Sequence, residues 1–237
     1  MTREMFNLRQ AAEHVHVEPN DLKHVAQRGE IAAEERGGDW WFDHRDLDEW
    51  AQRSLLETKG KALDARHSAF MLDMAKDERA KWRVWPLFRH DSIDVDVRAK
   101  TRGGIIRDMA DLAKASGLVY DDEGFYKELV AREECAPTAI GCGAAFLHPR
   151  YHDPYFFEDT FVAYGRSRHP VFFGAPDGAA TRHFFLICST DHERHLQILA
   201  RLAVLAHGTG LIERLDEAED VEGALKAIAE SEEEICE

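Results

Sequence analysis

The stretch TAIGCGAAFLHPR, which runs from position 138 to position 150, carries the most information about the fold of this 237-residue chain. Gly141 and Gly143 stand one residue apart, and this spacing allows a backbone turn whose N–H groups can face an anion. A short apolar run then leads to His148, and Pro149 directs the chain out of any sheet at that point. We therefore expect a strand that ends on a histidine.

The residue types around His148 suggest a chemistry. A neutral imidazole nitrogen attacks near pH 7 and later leaves readily, which suits histidine to reversible phosphoryl transfer. Arg150 follows two positions later, where its guanidinium can pair with a phosphate on that ring. We predict that Gly141, Gly143 and Arg150 line the phosphate. Spacing alone also permits a purely structural histidine.

A second pair of histidines opens a predicted helix. The apolar run from 183 to 188 is typical of a buried strand, and a capping signal at 190–193 begins the helix that follows it. His195 then lies near the helix N-terminus at the carboxyl edge of the sheet, where ligand sites of α/β folds lie. His192 and His195 could hold a metal, but no carboxylate or cysteine completes a set, so we predict neither a metal nor a cofactor.

The order of elements predicts an α/β domain over residues 88–237, with a mixed sheet and helices on both faces. Helices are expected at 105–115, 123–134, 190–208 and 221–237, and strands at 160–164, 171–173 and 183–188. The segment 54–87 has a helical pattern that Pro86 ends, so we expect a helical connector there.

The first 53 residues predict a small winged helix-turn-helix domain, so the whole chain is expected to have a two-domain α+β organisation. Two short amphipathic helices flank a turn at 17–20, where Pro19 is suited to the first position of the second helix. Gly37-Gly38 separates extended pieces at 30–32 and 40–42, which indicates a hairpin. Asp43 is a suitable N-cap for the helix that follows.

Composition restricts the function. The net charge of −15 excludes a general polyanion binder, because the field around the protein repels phosphate backbones. The chain has neither a membrane-length apolar run nor a signal-peptide core in its first residues, so we expect a cytoplasmic protein without membrane insertion. The cysteines form no CxxC pair, which favours reduced thiols; they are Cys135, Cys142, Cys188 and Cys236.

The stretch around His148 resembles the signature of the fructose/mannitol-type enzyme IIA family of the sugar phosphotransferase system, which includes the nitrogen-regulatory IIA proteins. Further landmarks appear in the family's order over residues 88–230. They are Ser92-Ile93, the helix from Phe125 that reaches Arg132-Glu133, the turn from Phe173 to Gly178, and the helix from Asp191 to Leu202 with its pair His195-Leu196.

This resemblance implies roles for three residues. His148 would accept a phosphoryl group from a histidine phosphocarrier protein, His195 would support it by hydrogen bonding, and Arg132 would neutralise the phosphate. The chain departs from the family in three places. Leu147 replaces the proline usual before the histidine, Pro149 follows it, and Cys142 stands between the glycines.

The N-terminal segment resembles the excisionase/MerR-like helix-turn-helix family. The matching stretches are 8–13, 28–31, 38–42 and 46–50. In that family the second helix enters the DNA major groove. Here Glu18 and Asp21 stand at the start of that helix, and the basic residues left to contact DNA are Lys23, His24, Arg28 and Arg36.

Three functions are therefore compared. The first is a regulatory phosphocarrier that couples phosphorylation of His148 to a winged helix. The winged helix would bind a regulatory target protein or DNA, and the pattern is compatible with a homodimer. The second is a binding protein whose IIA-like domain is a sensing or dimerising scaffold, which the departures at Leu147 and Pro149 favour. The third is a transcription factor controlled by phosphorylation, and the acidic second helix argues against it.

Overall fold

The computed structural model describes residues 4–58, 60–70, 82–150 and 156–236. The helices of these residues are α1 (Leu8–His14), α2 (Pro19–Gln27), α3 (His44–Glu57), α4 (Lys61–Phe70), α5 (Arg102–Ala115), α6 (Asp122–Cys135), α7 (His192–Gly208), α8 (Leu211–Glu217) and α9 (Val221–Glu233). The strands are β1 (Met5–Asn7), β2 (Glu34–Arg36), β3 (Asp39–Asp43), β4 (Phe88–Val97), β5 (Ala139–Gly141), β6 (Ala144–Leu147), β7 (Phe161–Val171) and β8 (Thr181–Cys188).

The C-terminal part of the chain contains a five-stranded mixed sheet in the order β4-β7-β8-β6-β5. β4 pairs with β7, and β6 with β8, in parallel, whereas β7 and β8 run antiparallel. The central strand β8 is buried along most of its length, as its continuous apolar run predicts. The predicted mixed sheet is confirmed.

Helices cover both faces of this sheet, as predicted. Alternate side chains of each strand point to opposite faces. Ala145, Leu147 and Phe184 pack in the cluster that contains α5 and α6, whereas Phe146 and Phe185 pack in the cluster that contains α7, α8 and α9. The second cluster continues into the N-terminal residues, because α3 and α4 pack against α7.

The N-terminal residues form a three-stranded antiparallel sheet in the order β1-β3-β2, together with α1, α2 and α3. Pro19 is the first residue of α2, and the Asp43 carboxylate accepts a hydrogen bond from Arg45 N, so both predicted helix starts are confirmed. Gly37 and Gly38 have φ values of 61° and 86° and form the predicted two-residue hairpin turn.

The structure corrects three of the predicted elements. The first hairpin strand is Glu34–Arg36 instead of 30–32, because a two-residue turn pairs Arg36 directly with Asp39. The predicted strand 160–164 is the first part of β7, which continues to Val171 and shifts register against β8 between Arg166 and Val171. The predicted strand 171–173 is wrong, because only Val171 belongs to β7 and residues 172 and 173 follow its end. The helical connector is interrupted between α3 and α4, where Gly60 has a φ of 59°. The connector residues 71–81 lie outside the described part of the chain.

Cys188 is buried, whereas Cys135 and Cys142 are exposed. Among the described residues, no single helix combines the length and the apolar composition that a membrane span requires. The α7 and α8 pair meets that criterion jointly, with a bend of 79° between the two helices.

A buried polar network on β7 and β8 makes stability depend on pH. The Tyr164 hydroxyl lies 2.9 Å from His183 Nδ1, and His183 Nε2 lies 3.5 Å from Asp216. Burial lowers the pKa of His183 from 6.5 to about 4. The charges of Arg182 and Arg166 act in the same direction, whereas Asp216 acts in the opposite direction.

The free energy of unfolding is expected to fall as pH decreases from about 6.5 to 4. Over this range His183 binds a proton in the unfolded chain but stays neutral in the folded chain. The loss reaches up to about 3 kcal/mol from this group and does not grow below pH 4, where both states are protonated. Urea unfolding of wild type and His183→Gln between pH 7 and pH 4 checks it. An equal pH slope in the two proteins would contradict it.

Candidate functional site

The two histidines singled out in the sequence meet at one edge of the sheet. β6 and β8 are parallel neighbours, with Leu147 opposite Leu186, so their carboxyl ends lie side by side. His148 follows the end of β6, and His195 lies in the first turn of α7, the helix that follows β8. Their ring centroids are 4.8 Å apart, with ring planes inclined by 54°. Both side chains are fully buried.

The tautomer of His148 follows from its hydrogen bond to the backbone. Nδ1 lies 3.0 Å from the carbonyl oxygen of Pro149. A carbonyl only accepts hydrogen bonds, so Nδ1 carries the proton and Nε2 keeps its lone pair. In this state Nε2 is the nucleophilic nitrogen of the ring.

The N-terminus of α7 positions His195. The Asp191 carboxylate accepts a hydrogen bond from Arg194 N at 2.8 Å and caps the helix. His195 N donates to Asp191 O at 3.2 Å, which fixes its backbone in the first turn. The positive end of the helix dipole disfavours a charged imidazole there, so the helix favours neutral His195.

Arg132 lies on α6 and is 2% exposed. Its Nη1 donates to the carbonyl of Ala136 at 2.8 Å, and its Nε has no hydrogen-bond partner among the described residues. Burial lowers the pKa of Arg132, while the charges of Glu133 and Glu49 act in the opposite direction. A buried guanidinium with spare donor capacity is suited to bind an anion.

Glu133, the next residue, binds the backbone and side chain of Thr138. Its carboxylate accepts hydrogen bonds from Thr138 N at 3.2 Å and Thr138 Oγ1 at 2.6 Å, and Arg102 lies 3.3 Å away. Burial raises the pKa of Glu133, whereas these donors lower it. Glu133 therefore ties the end of α6 to the start of β5.

The structure does not bring Gly141 and Gly143 to His148. Both glycines form the tight turn between β5 and β6, with φ values of 85° and 78°, and Cys142 between them has a φ of 47°. This turn lies at the start of β6, and His148 follows its end, about 13 Å farther along the strand. The predicted phosphate loop is therefore reduced to Arg150, because an extended strand separates the glycines from the imidazole.

A helix from the N-terminal part of the chain borders the histidine pair, which the sequence did not indicate. Glu49 on α3 lies 3.2 Å from Arg150, and its neighbour Asp48 lies 3.1 Å from His192. Glu49 is 101 positions from its partner, and Asp48 is farther still from His192, so no local pattern signals either contact. α3 thus adds negative charge beside the predicted phosphate site.

The candidate DNA contacts are all in the N-terminal part of the chain. Arg28 forms an ion pair with Glu30, and Arg36 with Glu34. Lys23, in the middle of α2, is partly exposed, and His24 on the same helix is exposed. Two of the four predicted cations are therefore neutralised by neighbouring carboxylates.

The C-terminal part of the chain combines a five-stranded mixed sheet with two buried histidines at its carboxyl edge, and comparison with known proteins identifies the family. Residues 86–231 match the family described as phosphoenolpyruvate-dependent sugar phosphotransferase system, EIIA 2. This match covers more than half of the chain, so the protein belongs to that family.

Two curated relatives are similar to this chain. A fructose-specific EIIA component of Haloferax volcanii is 29% identical over 140 residues, which are 58% of this chain and 89% of the relative. A fructose-specific EIIABC component of Bacillus subtilis is 24% identical over 148 residues, which are 62% of this chain. The chain spans 23% of that second relative's length.

Solved structures show the same fold. The nitrogen regulatory protein IIA-Ntr of Neisseria meningitidis superposes with a TM-score of 0.55 at 22% identity, over 61% of this chain and 98% of that one. The mannitol IIA of Escherichia coli superposes with a TM-score of 0.53 at 23% identity, over 59% and 97% of the two chains. The C-terminal part of the chain therefore has the IIA fold.

Proposed function

We propose that the protein is a regulatory phosphocarrier in which His148 Nε2 accepts a phosphoryl group from a histidine phosphocarrier protein. The observation that carries this proposal is the contact between His148 and His195, with ring centroids 4.8 Å apart, at the carboxyl edge of the sheet. The hydrogen bond from Nδ1 to the Pro149 carbonyl leaves the lone pair on Nε2, as the reaction requires.

The transfer is a single exchange of one nitrogen–phosphorus bond for another. Nε2 of His148 attacks the phosphorus of the donor's phosphohistidine, and the donor's imidazole leaves with the electron pair of the broken bond. The acceptor then carries the phosphate on Nε2 and keeps its proton on Nδ1. His195 donates a hydrogen bond to the phosphoryl oxygens, and Arg132 and Arg150 neutralise their charge.

We further propose that the chain is organised as a winged helix over 1–53, a helical connector over 54–87 and the phosphocarrier domain over 88–237. A phosphoryl group on His148 adds between about −1.5 and −2 charges. That charge competes with Glu49 for Arg150 and repels Asp48 and Glu49 on α3. Phosphorylation therefore weakens the contact between α3 and the phosphocarrier domain, and this change transmits the signal.

The full-length protein incubated with phosphoenolpyruvate, enzyme I and the histidine phosphocarrier protein is expected to gain the mass of one acid-labile phosphoryl group. His148→Ala is expected to gain none, because the attacking nitrogen is missing. Intact-mass spectrometry before and after acid treatment measures both. His90→Ala is the matched control, since His90 on β4 is an exposed histidine that contacts Glu222. This variant should gain the phosphoryl group like the wild type.

Two observations favour a second function. His148 is fully buried in this structure, and Leu147 and Pro149 depart from the family's pattern on either side of it. A sensing or dimerising scaffold without phosphoryl transfer fits both facts. No mass gain by the wild type, with a phosphocarrier from the same organism, would favour this scaffold over the phosphocarrier.

For the winged helix we propose a protein target in preference to DNA. Arg28 and Arg36 are paired with glutamates, so few cations remain to neutralise DNA phosphates. A mobility-shift assay on genomic DNA fragments at low salt tests this preference. Retardation that Lys23→Ala abolishes would instead support a transcription factor controlled by the phosphorylation of His148.

A further inference from the structure

Three metal-ligating side chains from three different elements meet beside the histidine pair. They are His14 at the end of α1, Asp48 on α3 and His192 at the start of α7. Asp48 Oδ1 lies 2.6 Å from His14 Nε2 and 3.1 Å from His192 Nε2. The potential ligand atoms of all three residues lie within 4.8 Å of one another.

From this convergence we infer that His14, Asp48 and His192 form a binding site for a divalent transition metal of the zinc class. Imidazole nitrogen and carboxylate oxygen are ligands that Zn²⁺ prefers, and three protein ligands leave a fourth position for water or another ligand. Ligand atoms of a tetrahedral zinc site lie about 3.3 Å apart, given metal–ligand bonds of about 2.0–2.1 Å. The distance from Asp48 Oδ1 to His14 Nε2, which is 2.6 Å, must therefore lengthen by about 0.7 Å on metal binding. The two imidazole planes, inclined by only 12°, must also tilt so that both Nε2 atoms face one ion.

The surroundings restrict the orientations of the two imidazoles. The His14 and His192 rings stack with centroids 4.7 Å apart and planes inclined by 12°. Phe6 packs against the edge of His14 at a centroid distance of 5.1 Å. The His14, Asp48 and His192 side chains are 26%, 18% and 14% exposed, so a metal can enter from solvent while the ligands are held by packing.

The site connects parts of the molecule that are distant in sequence. His14 and Asp48 belong to the N-terminal residues, whereas His192 opens the helix that carries His195 one turn later. A bound metal would therefore join α1 and α3 to α7 next to His148. This position explains why the sequence did not reveal the site: Asp48 is 34 positions from His14 and much farther from His192, so no short motif contains the three ligands.

The test is a titration of metal-free, full-length protein with Co²⁺, an optical substitute for Zn²⁺, under reducing conditions. We expect one equivalent to bind, with visible bands of nitrogen and oxygen coordination and no thiolate charge-transfer band, and Zn²⁺ to displace it. Asp48→Asn and His192→Ala are each expected to weaken binding by about 100-fold or more. His14→Ala is the third variant, and His90→Ala, a histidine beside Glu222, is the matched control that should bind normally.

The outcomes separate this site from simple hydrogen bonding among the same residues. Stoichiometric binding that two ligand variants abolish, with unchanged circular dichroism, supports the site. Weak or absent binding by wild type, or binding that Asp48→Asn and His192→Ala leave unchanged, overturns it. Phosphoryl uptake by His148 is measured on the same samples, so failure of the phosphocarrier proposal and failure of the metal site give different results.

Discussion

His195→Ala is expected to slow phosphoryl uptake by about 10²–10³-fold, the usual effect of removing one donor that stabilises charge in the transition state. The His195 ring lies 4.8 Å from that of His148 and is fully buried, so its hydrogen bond to the phosphoryl oxygens acts in a site of low dielectric. Single-turnover transfer from the phosphorylated histidine phosphocarrier protein, followed by intact mass, measures the rate.

Two control variants separate chemistry from folding. His90→Ala removes an exposed histidine and should transfer at the wild-type rate. His195→Gln keeps a hydrogen-bond donor and should recover part of the lost rate, which a purely structural role for His195 would not explain. Wild-type rates for His195→Ala would exclude His195 from the reaction.

Phe185→Ala is expected to lower the free energy of unfolding by about 3–5 kcal/mol, the largest stability effect that we predict for a single substitution. Phe185 lies on the central strand β8 and is fully buried. Its ring contacts Phe146 at 5.5 Å, Tyr164 at 5.1 Å and Phe88 at 6.2 Å between centroids. Truncation leaves a cavity that these rings, on β4, β6 and β7, cannot fill.

Urea unfolding at neutral pH measures this loss, and Phe172→Ala is the matched control. Phe172 follows β7 directly but is 79% exposed, so its truncation should change the free energy of unfolding by less than about 0.5 kcal/mol. Equal effects of the two substitutions would show that the β8 core is not packed as described.

The sequence predicted those elements that depend on local patterns. The apolar run of β8, the cap at Asp43 and Pro19 at the start of α2 each predicted an element that the structure contains. Such signals are local because caps, turns and hydrophobic periodicity involve residues within a few positions of each other. Where pairing register decides, the prediction was wrong, as for the first hairpin strand.

The candidate site divides in the same way. A strand-end histidine and a histidine in the first turn of a capped helix were identified from the sequence, because parallel strands bring their carboxyl ends to one edge. The glycine turn was placed wrongly near His148, since a motif gives the order of residues but not which end of a strand each one occupies. Glu133 was named as part of a motif, but its bond to Thr138 was not foreseen.

The amino-acid sequence by itself determined the main helices and the central strand of the C-terminal part, its resemblance to enzyme IIA proteins and the choice of His148 and His195. Only the tertiary structure decided that Glu49 meets Arg150 and that His14 and Asp48 meet His192. The physical reason is that these contacts arise where α1 and α3 lie against the folded C-terminal part of the chain. Burial of apolar surface drives that packing, and it acts between any complementary faces without a signature in the local sequence.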